Sequence, residues 1–302
     1  MLRLSHAMKV GLLAGCFVAG GAFADQATLT TMKDNTLYQS APDNPLSNGS
    51  GPGMYCGKNG GGLIRRALMR FDIASAVPAG STINSVTLRL QCMQAPNSTA
   101  RSCSLYRVLA DWGESISVAS GGGGGGDIAG PGDASWFNRF EPTATTPAIP
   151  WSTAGGQFAA ASSATATVNG YGAAYTWGST AQLVADAQFW LDNPQSNFGW
   201  ILRGVETSSQ TARKFATREE TNVAFRPKLT IDYTPPATCG DIDFNNDELF
   251  PDTQDIADFI EVFGGGACSS GNCDTIDFNN DGLFPDTDDI SAFLRVFSGG
   301  EC

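Results

Sequence analysis

The sequence has a single histidine in 302 residues, His6, and few charged residues. A mature protein that has lost its first residues would contain no histidine, which excludes histidine-based catalytic triads and His-ligated zinc sites. Charged residues make up 16% of the chain, against about 25% in an average soluble protein. Basic residues are the scarcer, with 18 against 30 acidic ones. This balance excludes a basic nucleic-acid-binding protein, whereas an apolar content of 42% allows a packed core.

The first 24 residues have the pattern of a secretory signal peptide. Basic residues precede an apolar stretch over 10–22, and the small residues Ala22 and Ala24 form a cleavage site before Asp25. The stretch is too short for an ordinary transmembrane helix, and no other long apolar run follows it. We therefore expect an extracellular or cell-surface protein. A lipid anchor at Cys16, the last residue of a lipoprotein-like cleavage box, is an alternative.

The C-terminal segment contains one unit written twice, at 239–268 and 273–302, with a period of 34 residues. Each copy begins and ends with a cysteine, and export places these cysteines in an oxidising compartment. The repeat favours one disulfide within each copy, Cys239–Cys268 and Cys273–Cys302. The nested pairing, Cys239–Cys302 with Cys268–Cys273, stays open as the alternative.

Within each copy, oxygen-bearing side chains alternate along a loop that precedes a predicted amphipathic helix. This spacing is typical of an EF-hand-type calcium loop, in which alternate residues direct oxygens at one hard cation. The second copy has Gly282 at the sharp turn, where the first has Glu248, so we expect the first loop to bind more weakly. A shared Asp at position 13 predicts a loop one residue longer than the standard. The predicted ligands of two calcium ions are Asp243, Asn245, Asp247, Asp252 and Asp255, and Asp277, Asn279, Asp281, Asp286, Asp288 and Asp289.

This duplicated segment, 239–302, resembles a dockerin. The resemblance implies a small α-helical domain that holds two calcium ions and anchors an exported protein to a cohesin-like or other surface partner. Each copy ends in a glycine-rich turn and a cysteine, GGGAC or SGGEC. It is most similar to a variant dockerin that lies at the extreme C-terminus of exported bacterial proteins. The longer loop departs from the standard dockerin pattern.

Residues 25–234 have the pattern of an antiparallel β-sandwich or jelly roll with one short helix. Short runs that alternate apolar and polar residues are separated by turns rich in Gly, Pro, Asn and Ser. Residues 179–192 start with a capping residue and end before Pro194, which predicts the helix. Residues 235–238 are a linker to the repeat. The predicted strands are 28–31, 67–71, 86–91, 104–108, 198–204 and 228–233.

Three cysteines precede the repeat. We expect a disulfide between Cys92 and Cys103 across a predicted hairpin loop, which leaves Cys56 unpaired or bonded elsewhere. Cys56 has no histidine to activate it as a nucleophile.

Several motifs of this segment resemble the DNRLRE domain, a β-sandwich of exported bacterial proteins that is related to carbohydrate-binding modules. The resemblance covers almost all of 26–234, with the motifs in the expected order. Some relatives bind acidic polysaccharides, whereas many have no known ligand. The motifs are DNTLY at 34–38, RALMRFD at 66–72, SVTLRL at 85–90, DWGE at 111–114, GDASW at 132–136, WLDNP at 190–194 and KFATRE at 214–219.

A sugar-binding site would use exposed aromatic rings that stack on pyranose faces, together with basic groups for polar contacts. The alternative for the six tryptophans is a place in the core. The predicted ligand-binding residues are Arg70, Arg89, Trp112 and Trp136. Carboxylates that could serve glycoside hydrolysis are Asp111 with Glu114, Asp133, and Glu219 with Glu220.

Taken together, the sequence predicts an exported, non-catalytic protein with two modules. The β-sandwich would bind a polysaccharide or matrix glycan, and the calcium module would anchor the protein at the cell surface or in an assembly. The alternatives are a structural surface or adhesion protein without a soluble ligand, and a histidine-free polysaccharide-degrading enzyme. Residues 239–302 hold 15 acidic residues and one basic residue, whereas 25–238 hold 15 of each. The excess negative charge therefore lies in the predicted calcium module.

Overall fold

The computed structural model describes residues 25–302 except 237, 250 and 284. The described chain divides into two compact units, which we call the β domain (25–236) and the repeat domain (238–302). The predicted signal peptide, including Cys16, lies outside the described residues. Of the helices in the described part of the chain, none is both long enough and apolar enough to cross a membrane.

The β domain consists of short strands and one α-helix, and the repeat domain contributes two further helices. The helices are α1 (Ala181–Asp192), α2 (Thr253–Phe263) and α3 (Thr287–Phe297). The strands are β1 (Asp25–Leu29), β2 (Lys33–Tyr38), β3 (Leu46–Ser47), β4 (Met54–Lys58), β5 (Ile64–Arg70), β6 (Thr82–Gln94), β7 (Arg101–Arg107), β8 (Asp127–Ile128), β9 (Asn138–Phe140), β10 (Ile149–Pro150), β11 (Ala164–Val168), β12 (Ala174–Trp177), β13 (Trp200–Arg203), β14 (Arg213–Phe215) and β15 (Lys228–Thr234).

The strands pair antiparallel in two halves that face each other. In one half β6 lies between β15 and β12, with β1 beyond β15, and in the other β2, β5, β13, β7 and β11 are neighbours in that order. β14 and β4 connect the two halves. Alternate residues of both halves, such as Leu88, Met69 and Leu202, meet in one buried cluster. The predicted antiparallel β-sandwich is therefore confirmed.

The local predictions agree with the observed elements. All six predicted strands overlap observed ones, and the predicted helix is α1. Thr180 caps α1, since its Oγ1 accepts a hydrogen bond from the Leu183 amide at 3.0 Å. Leu183, Ala187 and Trp190 face the sandwich core and are buried, as the i, i+4, i+7 spacing requires.

A long connection between β7 and β11 covers the outer face of the second half. Its tryptophans, Trp112, Trp136 and Trp151, form a second buried cluster with Leu68 and Ile201. Leu68 lies on β5 between two residues that face the central core. The second half is consequently buried on both faces.

The predicted disulfide between Cys92 and Cys103 is wrong. β6 pairs with β15, β14 and β12, whereas β7 pairs with β13 and β11, so the two strands do not form a hairpin. The connection between them crosses from one half of the sandwich to the other. The Cys103 Sγ atom instead lies 3.6 Å from Cys56 Sγ. All three thiols are free and buried in the core.

The two copies of the repeat pack around a shared aromatic core. Phe259 of α2 stacks on Phe293 of α3 with ring centroids 4.0 Å apart. Contacts between the copies are reciprocal: Asn246 donates to the Asn272 carbonyl at 2.9 Å, and the equivalent Asn280 donates to the Thr238 carbonyl at 2.8 Å. The copies are thus related by an approximate two-fold rotation.

The cysteines of the repeat pair between copies, so the favoured pairing within each copy is wrong. Cys239 is bonded to Cys302 and Cys268 to Cys273, which is the nested alternative. Because the copies pack with two-fold symmetry, the end of each copy lies beside the start of the other. The Cα–Cα distances of 5.6 and 5.8 Å are those of ordinary disulfides.

Candidate functional site

The two predicted calcium loops have the same internal geometry. In the first, Asp243 Oδ1 accepts from the Asp247 amide at 3.0 Å and Asp247 Oδ1 accepts from the Leu249 amide at 2.9 Å. In the second, Asp277 Oδ1 accepts from the Asp281 amide at 3.0 Å and Asp281 Oδ1 accepts from the Leu283 amide at 2.8 Å. Asn245 and Asn279 lie between these aspartates in the same manner. Loop positions 1, 3 and 5 are thus held on one side of each turn.

The aspartates at the start of each helix have capping roles. The Asp252 side chain accepts from the amides of Gln254 and Asp255, and Asp255 accepts from the Asp252 amide in return. Asp286 and Asp289 form the same capping box on α3. Both pairs satisfy backbone donors that a helix leaves free at its first turn.

Position 13, rather than position 12, closes each loop. Asp255 and Asp289 are fully buried, and each accepts a hydrogen bond at 3.4 Å from the amide at loop position 3. Asp288, the predicted ligand at position 12, is exposed. Among the described residues of either loop, no three carboxylates converge within 4.8 Å. A cation held there would therefore take amide and backbone oxygens as well as carboxylates.

The turn after position 5 differs between the loops in strain. Gly282 has a φ of +78° and Glu248 has a φ of +65°. This left-handed conformation costs a side-chain-bearing residue roughly 1 kcal/mol, whereas glycine adopts it freely. The first loop therefore carries strain that the second avoids.

The predicted stacking tryptophans do not present a ring to solvent. Trp112 is fully buried and Trp136 is 7% exposed, and the other four tryptophans are buried as well. Trp112 donates its indole hydrogen to the Phe198 carbonyl at 2.8 Å, and the Arg66 guanidinium covers the Trp136 ring at 4.9 Å. The prediction that Trp112 and Trp136 bind sugar by stacking is wrong, because the connection that carries them folds over the sheet.

Arg89 lines an open groove of about 540 Å³ on the outer face of β1, β15 and β6, which we call the basic groove. Arg226 and Lys228 line the same groove, together with the apolar side chain of Val223. Arg89 and Lys228 are direct cross-strand neighbours in the β15–β6 register. Sequence inspection did not single out Arg226 or Lys228, because only the register brings them to Arg89.

None of the three basic side chains forms a salt bridge within the described residues. Arg89 donates to the Ala224 carbonyl at 3.1 Å and Arg226 to the Glu220 carbonyl at 2.8 Å. Like charges directly opposite each other on neighbouring strands are unfavourable. The groove therefore holds an uncompensated positive charge. Arg70, the other predicted basic ligand, is half-buried on β5 and does not line this groove.

A second pocket of about 490 Å³ lies beside the glycine-rich turn at 121–126. Tyr55, Asn59, Gln94 and Gln210 line it with one aromatic ring and three amides. Gln210 has a φ of +58°, an unusual conformation for this residue type. The pocket is less charged than the basic groove.

The carboxylates that could serve hydrolysis do not form a pair in a cleft. Asp111 forms a salt bridge with Lys33 at 2.8 Å, and Asp133 accepts hydrogen bonds from the amides of Ser115 and Gly130. Glu114 and Glu219 do approach each other, but beside Asp34, which is fully buried. Neither the basic groove nor the second pocket is lined by these residues.

We call Asp34, Glu114 and Glu219 the acid cluster. One oxygen of each lies within 4.8 Å of one oxygen of the others. Burial, and next the nearby Glu219, raises the pKa of Asp34 to about 8. Burial also raises the pKa of Glu114 to about 7. Sequence reasoning noted Glu114 and Glu219 separately but missed Asp34, whose signal is an acidic residue inside a buried strand.

No protein-family model matches this chain, and no curated protein matches it either. The resemblances to the DNRLRE domain and to dockerins therefore rest on the motifs quoted above.

Proposed function

We propose that the β domain binds an acidic polysaccharide in the basic groove. The observation that carries this proposal is the cross-strand pair of Arg89 and Lys228, two cations opposite each other with no acidic partner. An anionic ligand would offset the repulsion among these two cations and the nearby Arg226. The groove is open along the sheet surface, which suits a chain of sugars better than a small enclosed molecule.

The acidic class of ligand follows from the chemistry of the groove. Arginine binds carboxylates and sulfates through paired N–H donors, and lysine adds a point charge. Neutral glycans usually depend on exposed aromatic rings, and the tryptophans of this domain are buried. Val223, which is 70% exposed, offers an apolar contact at the groove rim.

The test is calorimetric titration of the full-length protein with polygalacturonate oligosaccharides, and with neutral glucan oligosaccharides for comparison. We expect binding of the acidic chain only, with affinity that falls as salt rises. Arg89→Ala and Lys228→Ala should each weaken binding roughly tenfold, since a charge-assisted contact at a half-exposed site contributes about 1.4 kcal/mol. Lys58→Ala removes one positive charge away from the groove and is the matched control. Binding that is unaffected by both groove variants would contradict the proposal.

We further propose that the repeat domain binds two calcium ions and anchors the protein to a cohesin-like or other surface partner. The support is the matching hydrogen-bond pattern of two oxygen-rich loops, each closed by a buried aspartate. Fifteen acidic residues and one basic residue in 239–302 also call for bound cations. The equivalent residues Ile260 and Leu294 are 53% and 49% exposed on α2 and α3, which offers two symmetric apolar positions to a partner.

Calorimetry of the full-length protein with calcium tests this proposal. Asp243→Ala and Asp277→Ala should each remove the site of their own loop, and Glu261→Ala, which removes an exposed carboxylate of α2 outside the predicted ligand set, is the control. Retention of the full calcium stoichiometry in the double variant Asp243→Ala/Asp277→Ala would overturn the assignment of the loops.

A further inference from the structure

The acid cluster of the β domain has a charge that its surroundings do not balance. Arg218 is the basic partner of the cluster and forms salt bridges with Glu114 at 2.5 Å and with Glu219 at 2.6 Å. Lys33, a second basic group near Glu114, forms a salt bridge with Asp111 at 2.8 Å and is shared between the two carboxylates. With all three carboxylates ionised, Arg218 would leave two negative charges in a place where Asp34 is fully buried and the Glu114 side chain is 8% exposed. Buried charge of this kind needs a counter-ion or a proton.

Two carboxylate oxygens in the cluster are buried and have no hydrogen-bond donor. Asp34 Oδ2 accepts from Thr31 and from the Arg218 amide, but Asp34 Oδ1 accepts nothing within the described structure. Glu219 Oε1 accepts from Arg218, whereas Glu219 Oε2 is likewise buried without a donor. Buried polar atoms in proteins nearly always have a partner. These two oxygens are therefore available to bind a cation or a shared proton.

A proton does not satisfy this arrangement as well as a cation does. One proton on Asp34 provides a single donor, which can serve one neighbouring oxygen and leaves one negative charge in place. A divalent cation neutralises both surplus charges and contacts several oxygens at once. All the atoms that could ligate a metal in the cluster are carboxylate oxygens, which hard cations prefer.

Three separate parts of the chain supply the cluster, and other contacts hold each in position. Asp34 lies on β2, which pairs with β5. Glu114 follows Trp112 of the second buried cluster, and its Oε1 accepts from the Asp34 amide at 2.6 Å. Glu219 follows β14, and Thr217, two residues before it, donates to the Gly51 carbonyl. A cation there would join β2, the β7–β11 connection and the segment after β14.

We infer that Asp34, Glu114 and Glu219 form a binding site for a hard divalent cation, with Ca²⁺ as the ion to test. This site is separate from the two loops of the repeat domain and from the basic groove. Its role is structural, because it connects three segments of the sandwich around the buried Asp34.

Terbium luminescence tests this site, because all tryptophans and tyrosines lie between residues 38 and 233, in the β domain. Terbium substitutes for calcium and emits when a nearby tryptophan is excited, and Trp112 is two residues from Glu114. We expect saturable, tryptophan-sensitised emission from the full-length protein, displaced by Ca²⁺. The emission should persist in the variant Asp243→Ala/Asp277→Ala, in which both loops are altered.

Glu219→Gln should weaken this terbium binding at least tenfold, and Asp34→Asn should do the same. Glu220→Gln, which removes a neighbouring carboxylate outside the cluster, is the matched control and should leave it unchanged. Thermal unfolding followed by tryptophan fluorescence checks that each variant is folded, and Ca²⁺ should raise the transition temperature of wild type but not of Glu219→Gln. An absence of sensitised emission, or emission that Glu219→Gln leaves unchanged, would overturn the inference. Neither result depends on glycan binding or on the calcium loops.

Discussion

The nested disulfides make an unequal contribution to the stability of the repeat domain. Cys239–Cys302 closes a loop with a sequence separation of 63, and Cys268–Cys273 closes one of 5. The chain-entropy relation gives about 4 kcal/mol for the long loop and about 2 kcal/mol for the short one. The double variant Cys239→Ser/Cys302→Ser should therefore lose about 2 kcal/mol more than Cys268→Ser/Cys273→Ser. With an m-value of about 1 kcal/mol/M, that difference separates the urea midpoints by roughly 2 M.

The assay is urea unfolding of the full-length protein at fixed calcium, with amide hydrogen exchange of peptides from α2 and α3 as the readout. Tryptophan fluorescence reports only the β domain, so its transition should be the same in both variants and serves as the internal control. If the cysteines paired within each copy instead, either double variant would break both bonds. Equal losses of stability in the two variants would therefore refute the nested pairing.

Three further predictions concern single residues. Without divalent cations the free energy of unfolding of the β domain should fall from pH 5 to pH 8. Asp34 and Glu114, with pKa values of about 8 and about 7, keep protons that the unfolded chain releases near pH 4. Asp34→Asn should reduce the slope of this profile, measured by urea unfolding. Iodoacetamide should modify Cys56 and Cys92 only after unfolding, because the reactive thiolate is disfavoured in the folded protein. A hydrogen bond with Cys103, together with burial, raises the pKa of Cys56, and burial raises the pKa of Cys92 to about 11. Peptide mass mapping of the folded protein after alkylation checks this. Glu248→Gly should strengthen calcium binding by the first proposed loop by about 1 kcal/mol, whereas Gly282→Glu should weaken binding by the second. Calorimetric titration with calcium measures both changes.

Sequence periodicity predicted the elements of this protein well because local rules control them. The run at 86–91 alternates strictly, and the strand forms as β6 with Val86, Leu88 and Leu90 buried. Helix α1 begins after its capping threonine, and a capping box of two aspartates fixes the start of each repeat helix. Such signals act within one turn or one strand, so a single sequence contains them.

The errors all concern contacts between distant segments. Nothing local distinguishes a tryptophan in an exposed turn from one in a connection that folds over a sheet, and Trp112 and Trp136 are of the second kind. The cysteine pairing depended on how the two copies pack rather than on their sequences. The acid cluster joins residues up to 185 positions apart, from Asp34 to Glu219, and the basic groove requires the β15–β6 register. Tertiary structure was needed for each of them.

The distribution of charge along the sequence predicts that the repeat domain depends on bound cations more strongly than the β domain does. The repeat segment has 15 acidic residues and one basic residue, Arg295, so its carboxylates repel one another. Salt at physiological concentration screens this repulsion only between charges that are more than about 8 Å apart. Chelation should therefore expand the repeat domain first, and salt alone should not restore it, because neighbouring loop carboxylates lie closer together than this screening length. The sequence of the β domain is balanced, with 15 residues of each sign in 25–238, and its proposed cation is enclosed by three segments. Ca²⁺ exchange at the proposed sites should thus be faster in the loops than in the acid cluster, and chelation should unfold the repeat domain at calcium concentrations at which the β domain stays folded.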